Sequence, residues 1–147
     1  MRILIVNGPN LNMLGKRDQH FYGSKILSEI LEDVDNTGAD LGIEVKHFQS
    51  NHEGHLIDFL QRESPFSDGI IINAGALSHY GLALRDSLTD TKLPVVELHL
   101  SNIYARDEFR RHSFIEELAV GQIAGLGWKG YSYALESLTD YLKSQGA

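Results

Sequence analysis

Five short aliphatic runs, each followed by a longer stretch of helical periodicity, constrain this chain more than any other feature. The runs are residues 3–6, 43–48, 69–72, 95–98 and 120–124. The first and third are unbroken aliphatic stretches, as expected of parallel strands covered on both faces. In the second, Ile43, Val45 and His47 alternate with Glu44, Lys46 and Phe48, so it reads as an edge strand. Between the runs lie apolar stripes. Ile26, Leu27, Ile30, Leu31 and Val34 form one, with Leu41 and the stop signal Gly42 beyond it. Asn51 is placed to cap a helix carrying Leu56, Ile57 and Leu60, and Leu82, Ala83 and Leu88 mark a third before Pro94 resets the chain. The last stripe, Tyr131, Ala134, Leu135, Leu138, Tyr141 and Leu142, ends before Gly146, and its aromatics read as core packing. Five βα units in 147 residues predict an α/β fold with a flavodoxin-like, doubly wound parallel five-stranded sheet of order 2-1-3-4-5. With no internal repeat, linker or charge block, residues 1–147 read as a single domain.

Composition narrows the partners. Lys and Arg number 13 against 20 Asp and Glu, a net charge of −7, which argues against a nucleic-acid binder. A local arginine cluster can still hold a small anion against a distant net charge. There is no cysteine, which excludes disulfides, thiolate zinc sites, cysteine-ligated iron–sulfur clusters and a thiol nucleophile. The run at residues 3–6 is too short for a signal-peptide core, and no apolar stretch approaches a membrane span. The expectation is a cytoplasmic protein with neither nucleic acid nor membrane as partner.

In such a sheet, ligands bind beyond the carboxyl ends of the strands, where strand order reverses, here between strands one and three. Those ends are polar. Strand one runs into Asn7-Gly8-Pro9-Asn10-Leu11-Asn12 and on to Gly15-Lys16-Arg17, and strand three into Asn73-Ala74-Gly75 and then Ser78-His79. Strand four carries Glu97 and His99, followed by Ser101, which alternation points the same way. Several familiar sites fail against these loops. A P-loop fails because six residues separate Gly8 from Gly15 and Arg17 stands where Ser or Thr should hold magnesium. A phosphorylatable receiver fails because Asn73 occupies the place of its Asp. His52-Glu53-Gly54-His55 lacks the i, i+4 histidine pair of a zinc helix and reads as surface histidines, so no metal is expected. A flavin site is compatible with the fold, but the first loop lacks a run of small hydroxyl residues.

What remains is a set of amides, histidines and arginines around one crevice. His79 and His99 lie beside different strand ends, Arg106, Arg110 and Arg111 follow strand four, and Arg17 lies five residues before Tyr22. A guanidinium beside a phenol favours the tyrosinate form that a base needs. Taken singly, Tyr22 reads as a packed loop residue, the histidines as structural hydrogen-bonding groups, and Arg110-Arg111 as a solvated helix face. Their convergence is what points to chemistry.

On these residues the chain resembles the type II 3-dehydroquinate dehydratases (type II dehydroquinases). The matching blocks are Asn7-Gly8-Pro9-Asn10-Leu11-Asn12 with Leu14-Gly15 and Arg17, then Tyr22-Gly23, then Asn73, Gly75, His79 and Leu84-Arg85-Asp86. The longest is Glu97-Leu98-His99-Leu100-Ser101-Asn102-Ile103, continuing as Ala105-Arg106 and Phe109-Arg110-Arg111-His112-Ser113, with Gly125-Leu126-Gly127 and Gly130-Tyr131 closing the series. The resemblance implies a lyase that reversibly dehydrates 3-dehydroquinate to 3-dehydroshikimate through an enolate, with no cofactor, no metal and no Schiff base. It implies that Tyr22 accepts the proton, His99 donates one, Arg17 promotes the tyrosinate and Asn10 helps hold a water at the enolate. It makes Asn73, His79, Asp86, Leu100, Ser101 and Arg110 substrate-binding residues, with Glu97 orienting His99. It also implies a homo-oligomer, a dodecamer built from trimers, serving either the shikimate pathway of aromatic amino acid biosynthesis or quinate breakdown.

The chain departs from the family pattern at Ala74, where proline is frequent, at Ser78 for threonine, at Tyr80 for a small hydroxyl residue and at Tyr104 for histidine. Asp18-Gln19 replaces a frequent Glu-Pro pair, which predicts a less stiff loop before Tyr22. The alternative reading is a non-catalytic flavodoxin-like module binding a small carboxylate or a flavin. Arg17 with Tyr22 discriminates against it, because binding alone gives little reason to hold a phenol beside a guanidinium.

Overall fold

The computed structural model describes residues 1–146. Five parallel strands, β1 (Arg2–Asn7), β2 (Glu44–Gln49), β3 (Gly69–Asn73), β4 (Val95–His99) and β5 (Gly121–Ala124), form one sheet of order β2-β1-β3-β4-β5. This is the predicted order, with β2 at an edge. The helices are α1 (Gln19–Tyr22), α2 (Leu27–Leu41), α3 (Glu53–Glu63), α4 (Leu82–Thr91) and α5 (Gly130–Ser144). None is long and apolar enough to cross a membrane among the described residues.

The unbroken aliphatic runs are explained by burial on both faces. From β1, Ile3 and Ile5 enter one core with Ile30 and Val34 of α2 and Leu135 and Leu138 of α5. Leu4 and Val6 enter the opposite core with Leu56, Phe59 and Leu60 of α3 and Leu84 and Leu88 of α4. Each such side chain contributes about 1.5–3 kcal/mol by leaving water, enough to fix the register of the central strands.

Several local expectations are corrected. The second strand begins at Glu44, because the Ile43 amide bonds back to the Gly38 carbonyl (2.8 Å) and closes the end of α2. Asn51 does not cap α3, whose N-cap is His52 without a side-chain bond; its Oδ1 instead accepts from the Asn10 amide (3.0 Å). Leu82 and Ala83 lie on the outside of α4, and Leu84, Ser87 and Leu88 form its inner face. Tyr141 is exposed, since short β5 leaves the end of α5 uncovered, while Tyr131 is wholly buried as expected. The helical turn α1 was not expected; the Asp18 carboxylate caps it by accepting from the His20 amide (3.0 Å), so the residue that replaces the frequent Glu organises the turn bearing Tyr22.

Candidate active site

β1 and β3 end side by side, Asn7 opposite Asn73, and their loops lie against each other. The Gly8 amide donates to the Asn73 carbonyl (2.8 Å), and a Cβ at Gly8 would collide with the Ala74 carbonyl. Gly75 turns with φ +59° against the Pro9 carbonyl, a conformation side chains rarely adopt. Beneath this junction, the buried Tyr131 hydroxyl donates to Asn7 Oδ1 (2.6 Å) and accepts from Asn73 Nδ2 (3.0 Å). Burial pushes the Tyr131 phenol far above its ordinary range, against the bond from Asn73, so it stays a neutral strut. The loop after β1 carries Asn10 in a left-handed conformation (φ 70°), its amide pinned by Asn51, and places Asn10 in the lining of the crevice.

The crevice above the junction encloses about 140 Å³. It is lined by Asn10, Arg17 and Tyr22 from the loop after β1, Asn73 and His79 from the β3 end, and His99, Leu100, Ser101 and Arg110 from the β4 end. All the predicted site residues meet there except one. Asp86 sits on the outer face of α4 with its side chain 76% exposed, 4.0 Å from Arg85, and does not line the crevice.

On one side stands Tyr22. Arg17 Nη2 donates to its hydroxyl at 3.2 Å with the guanidinium carbon 4.1 Å from the ring centroid. Arg106 Nη1 donates to the same hydroxyl at 2.9 Å and to Ser101 Oγ at 3.1 Å, while its guanidinium covers the Phe21 ring at 4.1 Å. Two cationic donors on one phenolic oxygen stabilise negative charge there.

On the other side stands His99. Its Nε2 meets Glu97 Oε1 at 2.9 Å, leaving Nδ1 as the nitrogen free of that bond. Glu97 is fully buried, and its carboxylate also accepts from Ser113 Oγ (2.5 Å) and Gln122 Nε2 (3.2 Å). With the Glu97 oxygens accepting from these donors, the His99 nitrogen that faces it carries a proton, which fixes the tautomer of the histidine. His79 lies parallel to His99 with centroids 6.3 Å apart. Its Nδ1 donates to the His112 carbonyl (2.7 Å), which fixes that tautomer too. Burial holds His79 below its ordinary value; the His112 bond opposes this, and the nearby His99 and Arg110 add to the lowering.

Three arginines and two histidines thus face a crevice in a chain of net charge −7, so the site is locally cationic and suits a small anion. The sequence had grouped Arg106 with the arginines after strand four but had given it no role. Its signal was four-residue spacing from Asn102 and Arg110, uninformative once two 3₁₀ turns replace a helix there. Gln122 was legible only through pairing, since it lies opposite Glu97 in the sheet.

Comparison with known proteins agrees with this geometry. The family model for class II dehydroquinase matches residues 1–139. A 3-dehydroquinate dehydratase of Roseiflexus castenholzii is 56% identical over 138 residues, covering 94% of this chain and 88% of that protein. The crystal structure of a type II dehydroquinase from Butyrivibrio crossotus superposes with a TM-score of 0.91 at 42% identity, covering 94% of this chain and 97% of that one. Another from Propionibacterium acnes gives 0.90 at 37% identity over 95% and 96% of the two chains. With the family model, the sequence identities and the superposed folds in accord over nearly its whole length, the chain belongs to the type II dehydroquinase family.

Proposed function

We propose that this protein dehydrates 3-dehydroquinate to 3-dehydroshikimate through an enolate, with Tyr22 as base and His99 as acid. The observation that carries the reading is the Tyr22 hydroxyl held between Arg17 and Arg106 on one wall of a crevice whose other wall bears the His99–Glu97 pair. Tyr22, as tyrosinate, takes the proton α to the substrate ketone. The electron pair moves onto the ketone oxygen, where a water held by Asn10 stabilises the enolate. As the ketone re-forms, the β-hydroxyl departs with a proton from His99 and leaves as water. Glu97 compensates the charge of His99 whenever it carries two protons. Asn73, His79, Ser101, Arg110 and the main chain at Leu100 and Ser101 hold the hydroxyls and carboxylate of the substrate. The chemistry moves only protons and one hydroxyl, so the chain's own groups and the water held by Asn10 supply every role.

A homo-oligomer, a dodecamer by resemblance, belongs to the same proposal. Asp86, expected at the substrate, lies outside its own crevice beside exposed Leu82, on a surface that a second copy can cover. A cytoplasmic place in the shikimate pathway or in quinate breakdown completes the reading.

The test is the appearance of enone-carboxylate absorbance when chelator-treated protein meets 3-dehydroquinate, repeated with borohydride present. Turnover surviving both treatments is expected. Inactivation by borohydride with a substrate-sized adduct on a lysine would replace the enolate by an imine.

A further inference from the structure

The buried Glu97 is reached from the surface by a chain of side chains that the reaction as written does not use. The Tyr104 hydroxyl donates to Gln122 Oε1 at 2.6 Å, and Gln122 Nε2 donates to Glu97 Oε2 at 3.2 Å. Glu97 Oε1 is taken by His99 Nε2 and Ser113 Oγ, so Gln122 is the donor that occupies the second carboxylate oxygen. The directions are mutually consistent. A carboxylate only accepts, so the amide must turn its NH₂ inward; its carbonyl then faces outward, where only a donor satisfies it, and Tyr104 supplies one. Ser113 is itself fixed, its Oγ accepting from the Ile115 amide at 3.0 Å.

We propose that Gln122, oriented by Tyr104, is a positioning residue for the His99 acid: it anchors the Glu97 carboxyl group in the geometry that turns His99 Nε2 to Glu97 and leaves Nδ1 for the crevice. The inference rests on His99 being the acid. Without the Gln122 bond, one oxygen of a fully buried carboxylate lacks a donor, and the anion that balances a doubly protonated His99 is less favoured. The protonated acid is then less well balanced, so the variant's kcat is expected to fall first at alkaline pH. The other ionisable groups around His99 are His79, stacked at 6.3 Å, Arg110 beyond it, and Arg17, Tyr22 and Arg106 across the crevice. Gln122 hydrogen-bonds to none of them, so its removal acts on His99 through Glu97 alone.

The experiment is kcat and KM against pH with 3-dehydroquinate for the wild type, Gln122→Met, Tyr104→Phe and His99→Ala. Gln122→Met is expected to lower kcat about tenfold, the scale of a lost hydrogen bond to a charged group, with KM little changed and the alkaline limb of the kcat profile moved to lower pH. Tyr104→Phe, at a half-exposed position, is expected to move the same limb in the same direction by less. A collapse of His99→Ala beside a Gln122→Met limb that stays at the wild-type pH overturns this inference and leaves the acid assignment standing. Near-normal turnover in His99→Ala overturns the acid assignment itself. Should Gln122→Met fail to fold, an unmoved limb in Tyr104→Phe overturns the proposal instead.

Discussion

Arg106 lies closer to the Tyr22 hydroxyl than Arg17 does, 2.9 Å against 3.2 Å, and comes from the loop after β4, 84 residues away in sequence. The two cations therefore do different work. Arg17 shares a loop with Tyr22, whereas Arg106 ties that loop to Ser101 just beyond the end of β4. Arg106→Ala is expected to reduce kcat about ten- to a hundredfold, the range for loss of a charged hydrogen bond. Steady-state kinetics check this; a raised KM with unchanged kcat would make Arg106 a binding group only.

Tyr131 illustrates a structural role at the same site. Its hydroxyl joins Asn7 to Asn73 in full burial, so Tyr131→Phe leaves two buried amide groups each without that partner. A loss of about 1–3 kcal/mol is expected, read by urea unfolding. An unchanged midpoint would mean that the two asparagines pair as well without the phenol.

The sheet order was readable because aliphatic burial and helical stripes repeat five times, and because Ile3 to Val6 can only be covered on both faces. The crevice was readable because strand ends in this topology converge, which brings Arg17, Tyr22, His79, His99 and Arg110 together on sequence grounds alone. What was not readable depended on contacts across the sheet. Asn51 looked like a helix cap but serves Asn10, a pairing 41 residues apart. Leu82 looked like core because it is apolar at helical spacing, yet the helix axis turns it outward with Asp86. Arg106 and Gln122 act through partners on other elements, and no local pattern encodes those.

His79 is expected to act on binding. It sits beside His99 but is tied to the His112 carbonyl rather than to a carboxylate, so His79→Ala should raise KM while largely sparing kcat. His99→Ala should instead lower kcat roughly 10²–10⁴-fold, the scale of a general acid. A reversed pattern would exchange the two assignments.

The same histidine carries a stability signature. Because folding lowers the proton affinity of His79 below the ordinary value of 6.5, the unfolded chain binds the proton more readily. The stability it contributes is present above that value and declines as pH falls below it. Urea unfolding from pH 7.5 to 5.5, about the ordinary titration range of histidine, should show less acid loss in His79→Gln than in the wild type. An equal loss in both would remove His79 as the source.

Tyr22→Phe tests the account most directly. The substitution keeps the ring over which Arg17 lies and removes only the oxygen that both arginines address. Single-turnover and steady-state kcat should fall roughly 10²–10⁴-fold, while a substrate analogue still binds through Asn73, Ser101 and Arg110. Combined with Arg17→Ala, the double variant should be little slower than Tyr22→Phe alone, because both lesions strike one proton transfer. Near-normal turnover in Tyr22→Phe would contradict the assignment of the tyrosine as base, whatever Arg17→Ala does.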